Sequence, residues 1–431
     1  NAGQSGTVSG NFTVKRNKPS GQNAAYYNFW SSPVTAGNTN MMAGAQNVYS
    51  LAKGAGSESS YYSAFSGLMT NGRGYAATNV TTATFTGTVN NGNINYAIED
   101  NSGGGAGVFN LTGNPYPSAI SASTFVSDNV AALLDATVYL WSQLDANDRT
   151  DSENSIANFI AVNAAGISAY DQDATLAATN IASGQGFGVA AASSTNISFN
   201  NDQRNGNNSD FKSDKTLRSA EYAWFAIEQN KVEQPILIAF GEQATTGSDF
   251  YYDAHSFKTE NNLQLAAMIK DELFLIDALP LNQEETRIPL SVTVPEAGKF
   301  SISFAKEKNL NESRNVYLLD KETNSTYDLK ETKTIEFEAA EASFWQNRFE
   351  LYFHNSTVGI DHTDDENRWI QWTSSQGRLK IQSLNDKTTA IHILVKVLTL
   401  EALEIKTISL ATGTYILKSQ AEANIIKAFV Q

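Results

Sequence analysis

Apolar and polar residues alternate with period two along five successive segments of this chain, and no other feature restricts its fold as tightly. The segments are "IPLSVTV" (Ile288–Val294), "KFSISFA" (Lys299–Ala305), "NVYLLD" (Asn315–Asp320), "TIEFE" (Thr334–Glu338) and "RFELYF" (Arg348–Phe353). A period of two puts every second side chain on one face, so each segment fits a half-buried strand. Gly298, Asn309, Asn311 and Asn324 punctuate them. Short alternating strands at this rhythm predict an antiparallel β-sandwich over residues 286–355.

Upstream, "TATFTGTVNNGNINYAI" (Thr82–Ile98) predicts a hairpin turning at Asn-Asn-Gly. "TVYLW" (Thr137–Trp141) and "QGFGVAA" (Gln185–Ala191) read as further strands. Helical patterning is thin: "NNLQLAAMIKDELFLI" (Asn261–Ile276) fits one or two helical turns as well as none. The chain is therefore expected to be mostly β, with antiparallel β-sandwich domains in tandem.

A length of 431 residues suggests about three domains. Up to about Asp210 the chain has few lysines or arginines; beyond it Lys and Glu become common. The loop-like stretch Asn200–Lys215 marks a sub-border within a first β-rich region, residues 1–285. The acidic run within "STVGIDHTDDENRWIQW" (Ser356–Trp372) marks a linker over 356–367. Residues 368–431 then carry about five strands, the size of an Ig-like sandwich.

No run approaches the ~20 apolar residues of a membrane helix, and no basic-then-apolar leader opens the chain. It starts "NAGQSGTVSG", which reads as the interior or mature start of something longer. A net charge of −15 argues against a nucleic-acid partner, which would require a clustered basic face. With no cysteine, disulfides, thiolate nucleophiles and zinc–thiolate sites are excluded.

Catalytic signatures are missing: there is no nucleophile elbow, phosphate loop or metalloprotease helix. "DANDRTDSE" (Asp145–Glu153) is the nearest approach to a calcium loop, but Arg149 holds a ligand position and no glycine makes the turn. A loosely bound calcium ion, held by carboxylates and loop carbonyls, is the one cofactor it leaves open. "SGQGFG" (Ser183–Gly188) leads into a strand and offers no helix N-terminus to a phosphate. His255, His354, His362 and His392 are scattered without metal-ligand spacing, and Asp364–Glu366 lies in the linker as a solvated charge run. The aromatic clusters "YYNFW" (Tyr26–Trp30), "SYYSAF" (Ser60–Phe65) and "DFYYDAHSF" (Asp249–Phe257) either fill a core or offer platforms to sugar faces. Tyr61, Tyr62, Tyr251 and Tyr252 are the candidate ligand aromatics.

"LTGNPYPSAI" (Leu111–Ile120) sets two of the chain's 8 prolines around one tyrosine. Each proline fixes φ near −65° and keeps the preceding residue extended, so Pro115 and Pro117 build a rigid corner that presets the direction of Tyr116. Ser118 fits the N-cap of a short helix after it.

Together with "YNFWSSPV", "GRGY", "FTGTVNNG", "TVYLW", "IASGQGFGV", "ISFNNDQR" and "GSDFYYDA", in that order between Tyr27 and Ala254, this corner resembles the carboxy-terminal region of large Bacteroidota cell-surface proteins and gliding-type adhesins. The last sixty-odd residues resemble the type A sorting domain of type IX secretion, through "ATGTYILKS" (Ala411–Ser419) and "IIKAFVQ" (Ile425–Gln431). Where that family has an Asp-x-x-Gly turn, this chain has "LTLEALEIK" (Leu398–Lys406). The resemblance implies a non-catalytic, secreted surface protein with the proline corner as scaffold. It also implies a secretion signal over Gly413, Tyr415, Leu417, Lys418, Ile426, Lys427, Phe429 and Val430. The implied partners are the type IX translocon and its shuttle barrel at the outer membrane, with surface glycans or other adhesin subunits beyond. The rival readings are a carbohydrate-binding module, or an accessory region of a polysaccharide-degrading enzyme.

Overall fold

The computed structural model is mostly β, with 58% of residues in strands and 6% in helices. It describes residues 8–17, 27–54, 62–102, 107–141, 159–169, 179–205 and 220–355 except 231, 257–262, 282 and 284; beyond these it describes only the strands between 370 and 430. The chain forms two compact units. One comprises 1–282, 287–310 and 316–352; the other comprises 283–286, 311–315 and 353–431.

The first unit is dominated by an eleven-stranded sheet. In spatial order it runs Ser325–Asp328, Arg314–Asp320, Ser343–Asn355, Glu285–Val294, Gln264–Ile269, Glu272–Pro280, Val232–Gly241, Glu221–Gln229, Gly298–Lys308 and Thr334–Ala339, with Ala254–His255 added beside Glu272–Pro280. The two outermost strands are consecutive in sequence, separated by the one-turn helix Leu329–Thr332, which Asp328 caps by accepting from the Lys330 and Glu331 amides. A four-residue helical link spans roughly 6 Å, so the sheet curls until its edges approach, giving a near-barrel.

Three expectations change here. The border between 285 and 286 runs through this sheet, because Glu285–Val294 pairs with Gln264–Ile269 and Gly298–Lys308 with Glu221–Gln229. The alternating strands of 286–355 therefore share one sheet with 221–280. The described part of 261–276 is strand: Ile269 faces Glu272 across a two-residue turn, with Lys270 at φ +57°. The expected hairpin over 82–98 is two strands that part company. Thr82–Gly87 pairs with Phe12–Asn17, and Ile94–Ile98 pairs with Thr195–Phe199. The connection between them is captured by another segment, through Thr35 N–H to Thr88 C=O at 2.9 Å and Asn90 N–H to Pro33 C=O at 3.0 Å.

Amino-terminal to the large sheet, Phe159–Val162, Val138–Trp141, Gly186–Ala190 and Phe109–Gly113 form a four-stranded sheet in that order. Its core joins Phe187, Phe125, Phe199, Tyr96 and Tyr116, all buried. The short helix Ala122–Asp128 packs Phe125 and Val126 into that core, and its N-cap is Ser121, which accepts from the Thr124 amide. The expected cap, Ser118, instead accepts from Arg204 Nε at 2.9 Å.

In the second unit, Ile370–Ser375, Arg378–Ser383 and Ile405–Ser409 form one sheet, and Lys396–Leu400, Thr389–Ile393, Gly413–Ser419 and Ile425–Val430 form another, each in that order. Residues 396–400 and 405–409 thus belong to different sheets, and residues 401–404 of "LTLEALEIK" between them lie outside the described residues. The expected linker 356–367, the calcium-type loop 145–153 and most of the sub-border 200–215 lie outside the described residues.

Candidate functional site

The proline corner explains how a loop is held. Asn114 sends its side-chain amide to the carbonyls of Ile181 and Ala182 at 3.0 and 3.1 Å, and its backbone amide to the Gln185 carbonyl at 2.9 Å. The Tyr116 carbonyl accepts from Ser183 Oγ at 2.8 Å. The corner is thereby fastened to "SGQG", Ser183–Gly186, whose other side meets the strand Asn28–Trp30. There Ser31 N–H reaches the Gly184 carbonyl at 2.7 Å, and Trp30 bridges to Gln185. Two glycines are required at this junction. Gly184 sits at φ +69°, and a Cβ on Gly186 would lie 2.9 Å from Phe29 Cβ and 3.2 Å from the Trp30 nitrogen.

Between this loop, Asn28–Trp30, the strand end at Arg16–Asn17 and Trp141 lies a cleft of about 140 Å³. Its apolar wall is aromatic. Phe29 and Trp141 lie 4.8 Å apart between ring centroids, and Phe159 backs both at 4.9 and 5.4 Å. Of the three aromatic residues lining the cleft, Phe29 and Trp30 are buried while Trp141 is half-exposed. The indole N–H groups of Trp30 and Trp141 are both buried without an acceptor. Each such donor costs about 1–3 kcal/mol when left unpaired. The polar lining is Arg16, Asn17, Asn28, Ser183 and Gln185. Among the described residues no Asp, Glu or His lines the cleft, and Ser183 Oγ is committed to the corner.

The candidate ligand tyrosines lie elsewhere. Tyr62 is half-buried and edge-on to Tyr49 at 6.5 Å. Tyr251 packs on the core, its carbonyl accepting from Ala164 N–H. Tyr252 is half-buried in the following turn, and Tyr61 is outside the described residues, as are the side chains of the expected secretion signal. Nothing in the local sequence of Arg16 or Asn17 announced a site. Asn28, Phe29, Trp30, Trp141 and Gln185 fell within quoted motifs, but four separate segments converge only in the folded chain.

A second polar cluster is buried and structural. Asp135 takes His255 Nδ1 at 2.8 Å and Tyr139 Oη at 2.9 Å on one oxygen, joining the segment before Val138–Trp141 to the strand Ala254–His255. For His255, burial works against the charged form, but the Asp135 hydrogen bond and the Asp135 and Glu272 charges outweigh it and raise the pKa. Beside it, Asp253 and Asp277 are almost wholly buried. Burial raises both carboxyl groups far above the usual range, reinforced for Asp253 by Asp277 and for Asp277 by Asp249. Asp253 accepts from the Ala278 amide at 2.7 Å, whereas Asp277 Oδ1 has no partner. Among the described residues, no three His, Cys, Asp or Glu side chains converge to hold a metal ion.

These acids hold protons in the folded chain that the unfolded chain releases, so their contribution to stability is full below an ordinary carboxylate pKa. It declines as pH rises towards the folded values. Asp277→Asn, which cannot ionise, is expected to match the parent near pH 4 and to exceed its unfolding free energy by about 2 kcal/mol at pH 8. Denaturant melts across that range check it; equal stabilities at pH 8 would mean that Asp277 is not held protonated.

Among curated proteins and among solved structures, nothing matches the chain. A family model described as a domain of unknown function, DUF8693, matches residues 3–353. The match ends where the first compact unit ends, at Tyr352, and so takes in the cleft, the corner and the eleven-stranded sheet. Covering most of the 431 residues, it shows that the chain belongs to the DUF8693 family.

Proposed function

We propose that this is a non-catalytic, secreted cell-surface protein of the adhesin type. Its DUF8693 region binds a saccharide in the Trp141 cleft, and its residues 368–431 serve as the type IX sorting domain. The observation that carries the binding part is the composition of the cleft. Cleaving a glycosidic bond takes two carboxyl groups flanking it, and the described residues of the lining supply none. They supply instead a half-exposed indole backed by Phe29, the kind of face on which a sugar ring stacks, with the Asn28 amide and the side-chain nitrogens of Asn17 and Gln185, whose oxygens accept from Thr82 and the Ala182 amide, for hydroxyl groups. The volume is below the roughly 300–1,000 Å³ of clefts for drug-sized ligands, which suits one ring at a time.

The full chain, titrated with a panel of soluble oligosaccharides and followed by tryptophan fluorescence, is expected to bind at least one without hydrolysing it. Trp141→Ala should weaken that binding about tenfold, or ~1.4 kcal/mol. Trp141→Phe, which keeps the packing against Phe29 and Phe159, should lie between the two. Binding indifferent to both substitutions would place the saccharide site elsewhere.

A further inference from the structure

Resting on the saccharide reading of this cleft, we infer that its ligand is an acidic sugar, a hexuronate whose ring lies on Trp141 and whose carboxylate is held by Arg16. The chain has 45 acidic and 30 basic residues, yet among the described residues the cleft is lined by one arginine and no acid. Arg16 is half-buried near the end of the strand Phe12–Asn17. Its stem runs beside the loop, with Cγ 4.0 Å from where a Cβ on Gly184 would sit. Among the described residues its guanidinium makes no ion pair, whereas Arg287 and Arg348 are both paired to carboxylates.

A partly desolvated guanidinium without a counter-charge is a poor structural element. It is a good receptor for a planar carboxylate, which it grips with two parallel N–H bonds. The remaining lining fits the rest of the molecule. Asn28 and the side-chain nitrogen of Gln185, whose oxygen already accepts from the Ala182 amide, match ring hydroxyls. A neutral hexose would leave Arg16 unanswered. An amino sugar would bring a like charge beside it.

The test compares galacturonate oligomers with their methyl esters, which have the same ring and hydroxyls without the charge. The full chain is expected to bind the acid at least tenfold more tightly than the ester, with the preference shrinking as salt is added. Arg16→Gln should erase the preference, while Arg16→Lys should keep part of it, since a lysine supplies the charge without the fork. Far-ultraviolet circular dichroism and melting temperature confirm that both variants fold. Equal affinity for acid and ester, or a preference untouched by Arg16→Gln, overturns this inference and leaves the saccharide reading standing. Failure of both oligomers, with neutral oligosaccharides still binding at Trp141, also overturns it alone. Failure of every saccharide overturns both.

Discussion

Replacing Tyr116 by alanine is expected to lower the unfolding free energy by about 3–5 kcal/mol, the range for removing a large buried aromatic. The ring is fully buried in the core with Phe125, Phe187 and Phe199. Its hydroxyl donates to the Gly92 carbonyl at 2.6 Å, and the Arg204 guanidinium lies 5.2 Å from its centroid. Burial pushes the phenol pKa upward despite the nearby Arg204 charge, so the group stays neutral at all ordinary pH values. Truncation leaves a void and an unpaired carbonyl, and Arg204 keeps its bonds to Ser118, Asn91 and Asn201. The contacts that hold the "SGQG" loop run through the Tyr116 carbonyl and Asn114, which the substitution spares. The folded fraction should therefore still bind its ligand. Tyr116→Phe separates the terms, with only the hydrogen bond lost, about 1 kcal/mol. Urea melts of both variants beside ligand titrations give the answer. An unchanged midpoint with lost binding would make Tyr116 part of the site rather than its support.

The parts of the fold visible in the sequence are those where one face of a strand meets the core and the other meets water. Arg314–Asp320 and Thr334–Ala339 alternate in burial along their whole length, and the alternation in "NVYLLD" and "TIEFE" is the direct record of that. Val232–Gly241 has eight consecutive buried residues from Gln234, and Glu221–Gln229 is similar. Trp224 Nε1 donates to the Ile167 carbonyl, and Leu237 packs where a Cβ on Gly166 would come within 3.0 Å. The amino-terminal region covers the face that carries Trp224 and Leu237, and the residues of the opposite face are buried as well, so period two is erased and no strand was read there. The division of 82–98 between two sheets was equally hidden, because Asn-Asn-Gly permits a hairpin and only the segment Pro33–Thr35 prevents it. The site was half legible. Tyr116 and "SGQG" stand out by their rigid and glycine-rich chemistry, but what they frame depends on Arg16 and Trp141, 125 positions apart by number.

Deleting Ile425–Gln431 is expected to stop export altogether, holding the protein in the periplasm with residues 1–355 folded. The reasoning starts from the order of the second unit's four-stranded sheet, in which Ile425–Val430 is outermost, paired to Gly413–Ser419 on one side. An outermost strand presents unpaired N–H and C=O groups. A partner can add a strand of its own to such an edge and so read a folded domain from outside. A translocon has no access to a core, which leaves edges and surfaces as the features to recognise. Alternation in "NIIKAFVQ" gives Ile426, Ala428 and Val430 to one face and Ile425, Lys427 and Phe429 to the other. Apolar positions on both faces suit a strand covered on one side by its own domain and on the other by a partner. Deletion alone cannot separate lost recognition from a collapsed tail, so the complementary experiment fuses residues 356–431 to a foreign periplasmic protein in a host with the pathway. Surface display of the fusion, together with periplasmic retention of the truncated chain, is the expected pair of results. A fusion that stays periplasmic while the truncated chain reaches the surface would make the tail an ordinary Ig-like module, and would leave the cleft as the part of the chain to which function attaches.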